Sequence, residues 1–118
     1  MKLSVVIPVY NEEQTIATVL QRVVEAPLAG LEAEILVVDD GSRDQTAARA
    51  RAWIENCHAP RRALRLEALP RNRGKGFALR HGFALATGDI VVVQDADFEY
   101  DPRDIDGLVR PILNAQAD

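Results

Sequence analysis

Apolar positions along this chain follow two alternating rhythms. Short continuous runs, Val5-Val6-Ile7, Ile35-Leu36-Val37-Val38 and Ile90-Val91-Val92-Val93, are rich in β-branched residues and read as buried strands. Between them, apolar residues recur every three or four positions, the period of one helix face. Ile16, Val19, Leu20, Val23 and Val24 predict a first helix, capped by Asn11 and ended by Pro27 and Gly30. Ser42 with Gln45 has the spacing of a capping box for a second helix through Trp53 and Ile54. Leu64, Leu66 and Leu69 alternate as a third strand. Phe77, Leu79, Phe83 and Leu85 mark a third helix with Gly88 as its stop. Asp101-Pro102 reads as a cap and first-turn proline for a last helix bearing Ile105, Leu108, Val109, Ile112 and Leu113.

Four strand–helix repeats predict an α/β fold, a mainly parallel sheet with helices on both faces. In open sheets of this kind ligands bind beyond the carboxyl ends of the strands. Each strand here is followed by a polar cluster: Pro8-Val9-Tyr10-Asn11-Glu12, Asp39-Asp40-Gly41-Ser42, Arg71-Asn72-Arg73-Gly74-Lys75-Gly76 and Asp95-Ala96-Asp97-Phe98-Glu99. Parallel topology gathers all four at one edge.

Composition narrows the partners. The chain has 118 residues, 47% of them hydrophobic and 27% charged, which suits one globular domain with a real core. A net charge of −4 gives no general attraction for nucleic acid or anionic lipid. A single cysteine, Cys57, forms no internal disulfide, and a reducing cytoplasm is the expectation. No stretch approaches the roughly 18 apolar residues of a membrane span. The first residues read as a strand ended by Pro8 and not as a signal peptide. His58 and His81 lack zinc-site spacing, and Arg61, Arg62 and Arg65 read as a solvated face.

Asp95-Ala96-Asp97 carries the most chemistry. Two carboxylates at the end of a buried strand are costly to desolvate unless a cation sits between them. Mg²⁺ is commonly held by one or two carboxylates plus substrate phosphates. On local grounds the same pattern also serves as a cap for the following helix. In Asp39-Asp40-Gly41-Ser42, glycine and serine suit a turn and a cap, but a turn needs at most one of the aspartates. Donors on a base edge or a ribose would satisfy the pair. Tyr10 either packs on the sheet edge or lines a base pocket, and Glu12 suits a first helical turn. The basic, glycine-spaced stretch 71–76 opens a helix and suits an anion, although the Walker A spacing is absent. A solvated loop has the same composition.

Taken together, Val6-Ile7-Pro8-Val9-Tyr10-Asn11-Glu12, Ile35 through Asp44, Asn72-Arg73-Gly74-Lys75-Gly76, Thr87-Gly88-Asp89 and Asp95-Ala96-Asp97 closely resemble family-2 glycosyltransferases of the GT-A fold. The likeness is strongest to the polyprenyl-phosphate (dolichyl-phosphate) mannosyl- and glucosyltransferases, and runs from Val5 to about Ile112. It implies that Pro8, Tyr10 and Glu12 line a nucleotide pocket and that Val38, Asp39 and Asp40 contact base and ribose. It further implies that Asp95 and Asp97 hold Mg²⁺ or Mn²⁺ on the donor diphosphate. Ala96 would back the ribose, Glu99 would add to the metal site, and Lys75 and Arg73 would face the diphosphate. Members of the family continue well beyond the helix that follows Asp-Ala-Asp. Residues 1–118 are therefore expected to be the nucleotide-sugar-binding portion, ending before the acceptor region.

The resemblance implies metal-dependent, inverting transfer of a hexose from a nucleotide-diphosphate sugar to an acceptor. A polyprenyl phosphate at the inner membrane face is the first expectation, with the protein cytoplasmic and peripheral there. Alternatives are a sugar hydroxyl acceptor, for which no general base stands out, and a non-catalytic nucleotide-sugar-binding module. A receiver-type signalling domain also has an Asp-Asp pair, but after its first strand and with a later lysine. Here no lysine follows Lys75.

Overall fold

Eight residues at the start, Lys2–Val9, form strand β1, and every one from Leu3 onward is buried. In the computed structural model, which describes residues 1–97 and 101–117, β1 pairs in parallel with β2 (Glu32–Asp39) on one side and β4 (Ile90–Val93) on the other. β3 (Arg62–Ala68) pairs in parallel with β2, giving the order β3-β2-β1-β4. The register sets Val9 opposite Asp39 and Val6 opposite Val93, so the expected polar clusters do leave the sheet at a common edge. The ladder runs past the strand ends through Asp40 N–H to Val9 O and Gln94 N–H to Val6 O, both 2.9 Å.

Alternation along β1 serves two cores. Leu3, Val5, Ile7 and Val9 pack with Ile35 and Val37 against α1 (Ile16–Glu25), Ala50 of α2 (Thr46–Glu55), and Ile105 and Val109 of α4 (Asp104–Ala117). Val6, Leu36 and Val38 pack on the opposite face against Ala78 of α3 (Lys75–Leu85). At Gly82 of α3 a Cβ would stand 2.5 Å from Val6 Cγ1, so only glycine lets this helix lie so near the sheet. Among the described residues no helix is long and apolar enough to cross a membrane.

Helix starts differ from the expectation. α1 begins at Ile16, one turn later than a cap at Asn11 predicts, and α2 begins at Thr46 without a side-chain bond from Ser42 to its amino end. The reason is that the two preceding loops satisfy one another. Asn11, at φ 51°, accepts from Arg43 N–H at 2.9 Å, and its own N–H donates to Ser42 Oγ at 2.8 Å. Glu12 N–H donates to Thr46 Oγ1 at 2.8 Å, and Gln45 N–H to Glu13 at 3.0 Å. Asp44, not Ser42, accepts from Thr46 N–H at 2.9 Å. α4 likewise starts after Pro102, at Asp104. Arg62 departs from a solvated face: its guanidinium donates to the carbonyls of Val24, Ala26 and Leu31, tying the end of α1 to β3.

Helical cover is also uneven. Leu108 is 63% exposed and Ile112 43%, although both are among the apolar positions that predict α4. Val91 and Val93 are each 42% exposed, so the α3 side of β4 is not covered within the described residues. At the amino edge of the sheet, the Glu34 carboxylate accepts from Ser4 Oγ and from Thr87 N–H and Oγ1, with Lys2 Nζ 3.6 Å away. Gly88 fits between these groups, where a Cβ would meet Ser4 Oγ at 2.5 Å. That contact, and not helix termination, is what Gly88 provides, since α3 ends at Leu85.

Candidate functional site

A cleft of about 290 Å³ opens at the carboxyl edge of the sheet. β1 delivers Pro8, Val9 and Tyr10 to it, with Glu12 from the following turn. Asp40 arrives from the end of β2. Asn72, Gly74, Lys75 and Ala78 come from the loop into α3, and Asp95, Ala96 and Asp97 from the end of β4. Eight of the residues expected at a nucleotide site thus share one cavity: Pro8, Tyr10, Glu12, Asp40, Lys75, Asp95, Ala96 and Asp97. Val38 and Asp39 do not line it. Val38 is fully buried beneath α3, and Asp39 lies against Ser42. Glu99 lies outside the described residues.

The two adjacent aspartates have different tasks. Asp40, only 4% exposed, accepts from Arg73 N–H at 2.8 Å with one oxygen and from Gly74 N–H at 2.9 Å with the other. It therefore fixes the backbone of the basic loop. Gly41 permits the approach: at φ 70°, a Cβ there would stand 2.3 Å from the carbonyl carbon of Arg71. Asp39 accepts from Ser42 Oγ and N–H, and burial pushes its carboxyl above the ordinary range against those bonds. Arg73 turns its guanidinium over the Phe77 ring, 4.9 Å from the centroid, and does not line the cleft.

Across the cleft, Lys75 Nζ lies 2.6 Å from Asp95 Oδ1. A cation already stands on this carboxylate, which tests the expected metal position. Asp95 and Asp97 offer hard oxygen donors one residue apart beside a cavity, a set that fits Mg²⁺ or Mn²⁺ completing its shell with phosphate oxygens and water. Among the described residues no three His, Cys, Asp or Glu side chains converge, so two protein carboxylates are the extent of the set there.

Thr15 was absent from the sequence expectations. Its Oγ1 donates to Ala96 O at 3.0 Å and lies 3.1 Å from Glu12 Oε2, joining the first and last clusters. Asn72, Gly74 and Ala78 also line the cleft. The glycine-spaced basic stretch pointed to the first two. Nothing in the local sequence marks Thr15, because its partner lies 81 residues away.

Comparison with known proteins agrees with this geometry. Residues 4–118 match the family model described as glycosyl transferase family 2. The chain is 34% identical over 119 residues to the dodecaprenyl-phosphate galacturonate synthase of Rhizobium johnstonii, covering 100% of this chain and 34% of that protein. It is 44% identical over 110 residues to the undecaprenyl-phosphate 4-deoxy-4-formamido-L-arabinose transferase of Sodalis glossinidius, covering 92% and 32%. The chain thus spans about a third of the length of these curated relatives. Among solved structures, the mannosyltransferase PcManGT from Pyrobaculum calidifontis, in complex with GDP-Man and Mn²⁺, superposes with a TM-score of 0.70 at 38% identity, covering 80% of this chain and 27% of that one. Glucosyl-3-phosphoglycerate synthase from Mycobacterium tuberculosis, in complex with Mn²⁺, UDP and phosphoglyceric acid, gives 0.73 at 35% identity, covering 95% and 39%. The four-stranded parallel sheet with its helices is the GT-A arrangement of these neighbours. By sequence and by fold, the chain belongs to glycosyl transferase family 2.

Proposed function

We propose that the cleft binds a nucleoside-diphosphate sugar with Mg²⁺ or Mn²⁺, as the donor half of an enzyme that transfers the sugar to a polyprenyl phosphate. One observation carries this reading: Asp95 and Asp97 meet Lys75 and the partly exposed Tyr10 in one cavity at the carboxyl edge of a parallel sheet. The relatives' names, transferases to dodecaprenyl and undecaprenyl phosphate, support the acceptor class. The neighbours crystallised with Mn²⁺ and GDP-Man or UDP support the donor and the metal. The transferred group is proposed to be a hexose, with inversion at the anomeric carbon. The site of action is proposed to be the cytoplasmic membrane face.

Asp95 and Asp97 would hold the cation, and Glu99 is proposed as a further contact. A divalent cation supplies charge neutralisation of the departing diphosphate. The chain's own residues bind and orient. Asp40 holds the Arg73-Gly74 backbone at the cavity wall. Pro8, Tyr10 and Glu12 offer an apolar and polar rim for the nucleoside, and Val38 packs with Ala78 of the cavity lining. A phosphate-monoester acceptor is already largely ionised at neutral pH, its second pKa being about 6, so it attacks without a general base.

Titration of UDP and of GDP into this chain with Mn²⁺ tests the reading. Binding of one of them is expected, and Asp97→Ala should weaken it at least tenfold, about 1.4 kcal/mol. Equal affinity in EDTA overturns it.

A further inference from the structure

We propose that Lys75 is an internal counter-ion for Asp95 that leaves this carboxylate when a divalent cation occupies it and moves to the donor diphosphate. Metal and nucleotide binding are then coupled through a single ammonium group. The inference rests on the reading of the cleft as a donor site.

The argument begins with the pair itself. Lys75 Nζ lies 2.6 Å from Asp95 Oδ1, both residues line the cleft, and the bond joins the end of β4 to the first residue of α3. The Asp95 side chain is 22% exposed while that of Lys75 is 60% exposed. The carboxylate is thus the more enclosed partner at the strand end, and the lysine the more exposed one. An ammonium and a divalent cation on one carboxylate repel at this distance. A cation on Asp95 therefore weakens the Lys75–Asp95 pair, and a diphosphate that recruits Lys75 weakens it as well. When both bind, each inherits one half of the pair. Lysine suits this exchange, being a compact charge on a four-carbon stem. Its stem starts at the amino end of α3, where anions are favoured. Coupling of this kind is reciprocal: the cation raises nucleotide affinity by the factor by which the nucleotide raises cation affinity.

The test measures binding and not turnover. Mn²⁺ binding is followed by electron paramagnetic resonance of the free ion, with and without UDP or GDP, whichever the wild type takes. Lys75→Met should bind Mn²⁺ alone about threefold more tightly, the size of a partly exposed ion pair. It should bind the nucleotide in saturating Mn²⁺ about tenfold more weakly, the loss of one charged contact. Arg80→Met removes an equal charge from the exposed side of α3 and should leave Mn²⁺ affinity unchanged. Thermal melting of each variant by circular dichroism reports that the fold is kept. Mn²⁺-dependent nucleotide binding in the wild type with unchanged or weaker Mn²⁺ affinity in Lys75→Met overturns this proposal alone. An equal gain in Mn²⁺ affinity from Arg80→Met overturns it too, by showing a general charge effect. Nucleotide binding indifferent to Mn²⁺ in the wild type overturns the donor-site reading and the proposal together.

Discussion

Asp40 shows how a residue placed by sequence at a ligand acquires a second duty in the fold. Both of its oxygens are engaged by backbone N–H groups of the adjoining loop, which also lines the cleft. Removing the carboxylate leaves two partly buried donors without their acceptor, at a cost of about 2 kcal/mol. Asp40→Ala should therefore lower the urea midpoint by that equivalent. Amide exchange at Arg73 and Gly74 should accelerate more than in the β1 core. A variant with unaltered exchange at these two amides would falsify the loop-holding role. The sequence singled out Asp40 because a turn needs only one acid, and assigned its acceptors to a base or ribose. The partner was not legible, since Arg73 and Gly74 lie 33 and 34 residues away and an anion-binding loop normally turns its own N–H groups to a ligand. Ser42 was misread as a cap for a related reason: a hydroxyl that can cap a helix also satisfies a nearer aspartate, here Asp39.

Elements are held in register by groups remote from the cleft. Glu34 joins β2 to β1 through Ser4 and to the turn before β4 through Thr87. Burial alone would raise its pKa, but the bonds from Ser4 and Thr87 outweigh this and hold the carboxyl below its ordinary value of 4.5. A depressed carboxylate contributes stability that is present above the unfolded-state pKa and lost as pH falls through the folded value. Glu34→Gln should cost about 2 kcal/mol at pH 7, and less at pH 3, where the wild type has forfeited the same contribution. Urea unfolding at the two pH values measures the difference. An equal deficit at both would remove Glu34 from the acid response. The elements themselves were legible because β-branched runs and helical periodicity are local signals. Their starts were not, because the loops 11–13 and 42–46 satisfy one another and delay both helices by about a turn.

For the whole molecule, parallel topology does the work that made the candidate site readable: one rule about strand ends gathers four sequence-distant clusters into one cavity. What periodicity could not tell is which faces stay covered, since an apolar residue at the right spacing looks the same whether or not a neighbour lies over it. Leu108 and Ile112 illustrate this on α4, and Val91 and Val93 on β4. The last pair has a consequence for handling the protein. Among the described residues β4 has a neighbour on one side only, so its other border carries unpaired backbone groups beside two half-exposed valines. Such a border is a template on which further strands add, with self-association and precipitation as the result. Val91→Lys would place a charge on it, away from the cleft. Light scattering against concentration should show the variant staying monodisperse beyond the point at which the parent clouds, with nucleotide affinity unchanged. Colloidal behaviour and the proposed ligand recognition are thus assigned to different borders of one sheet.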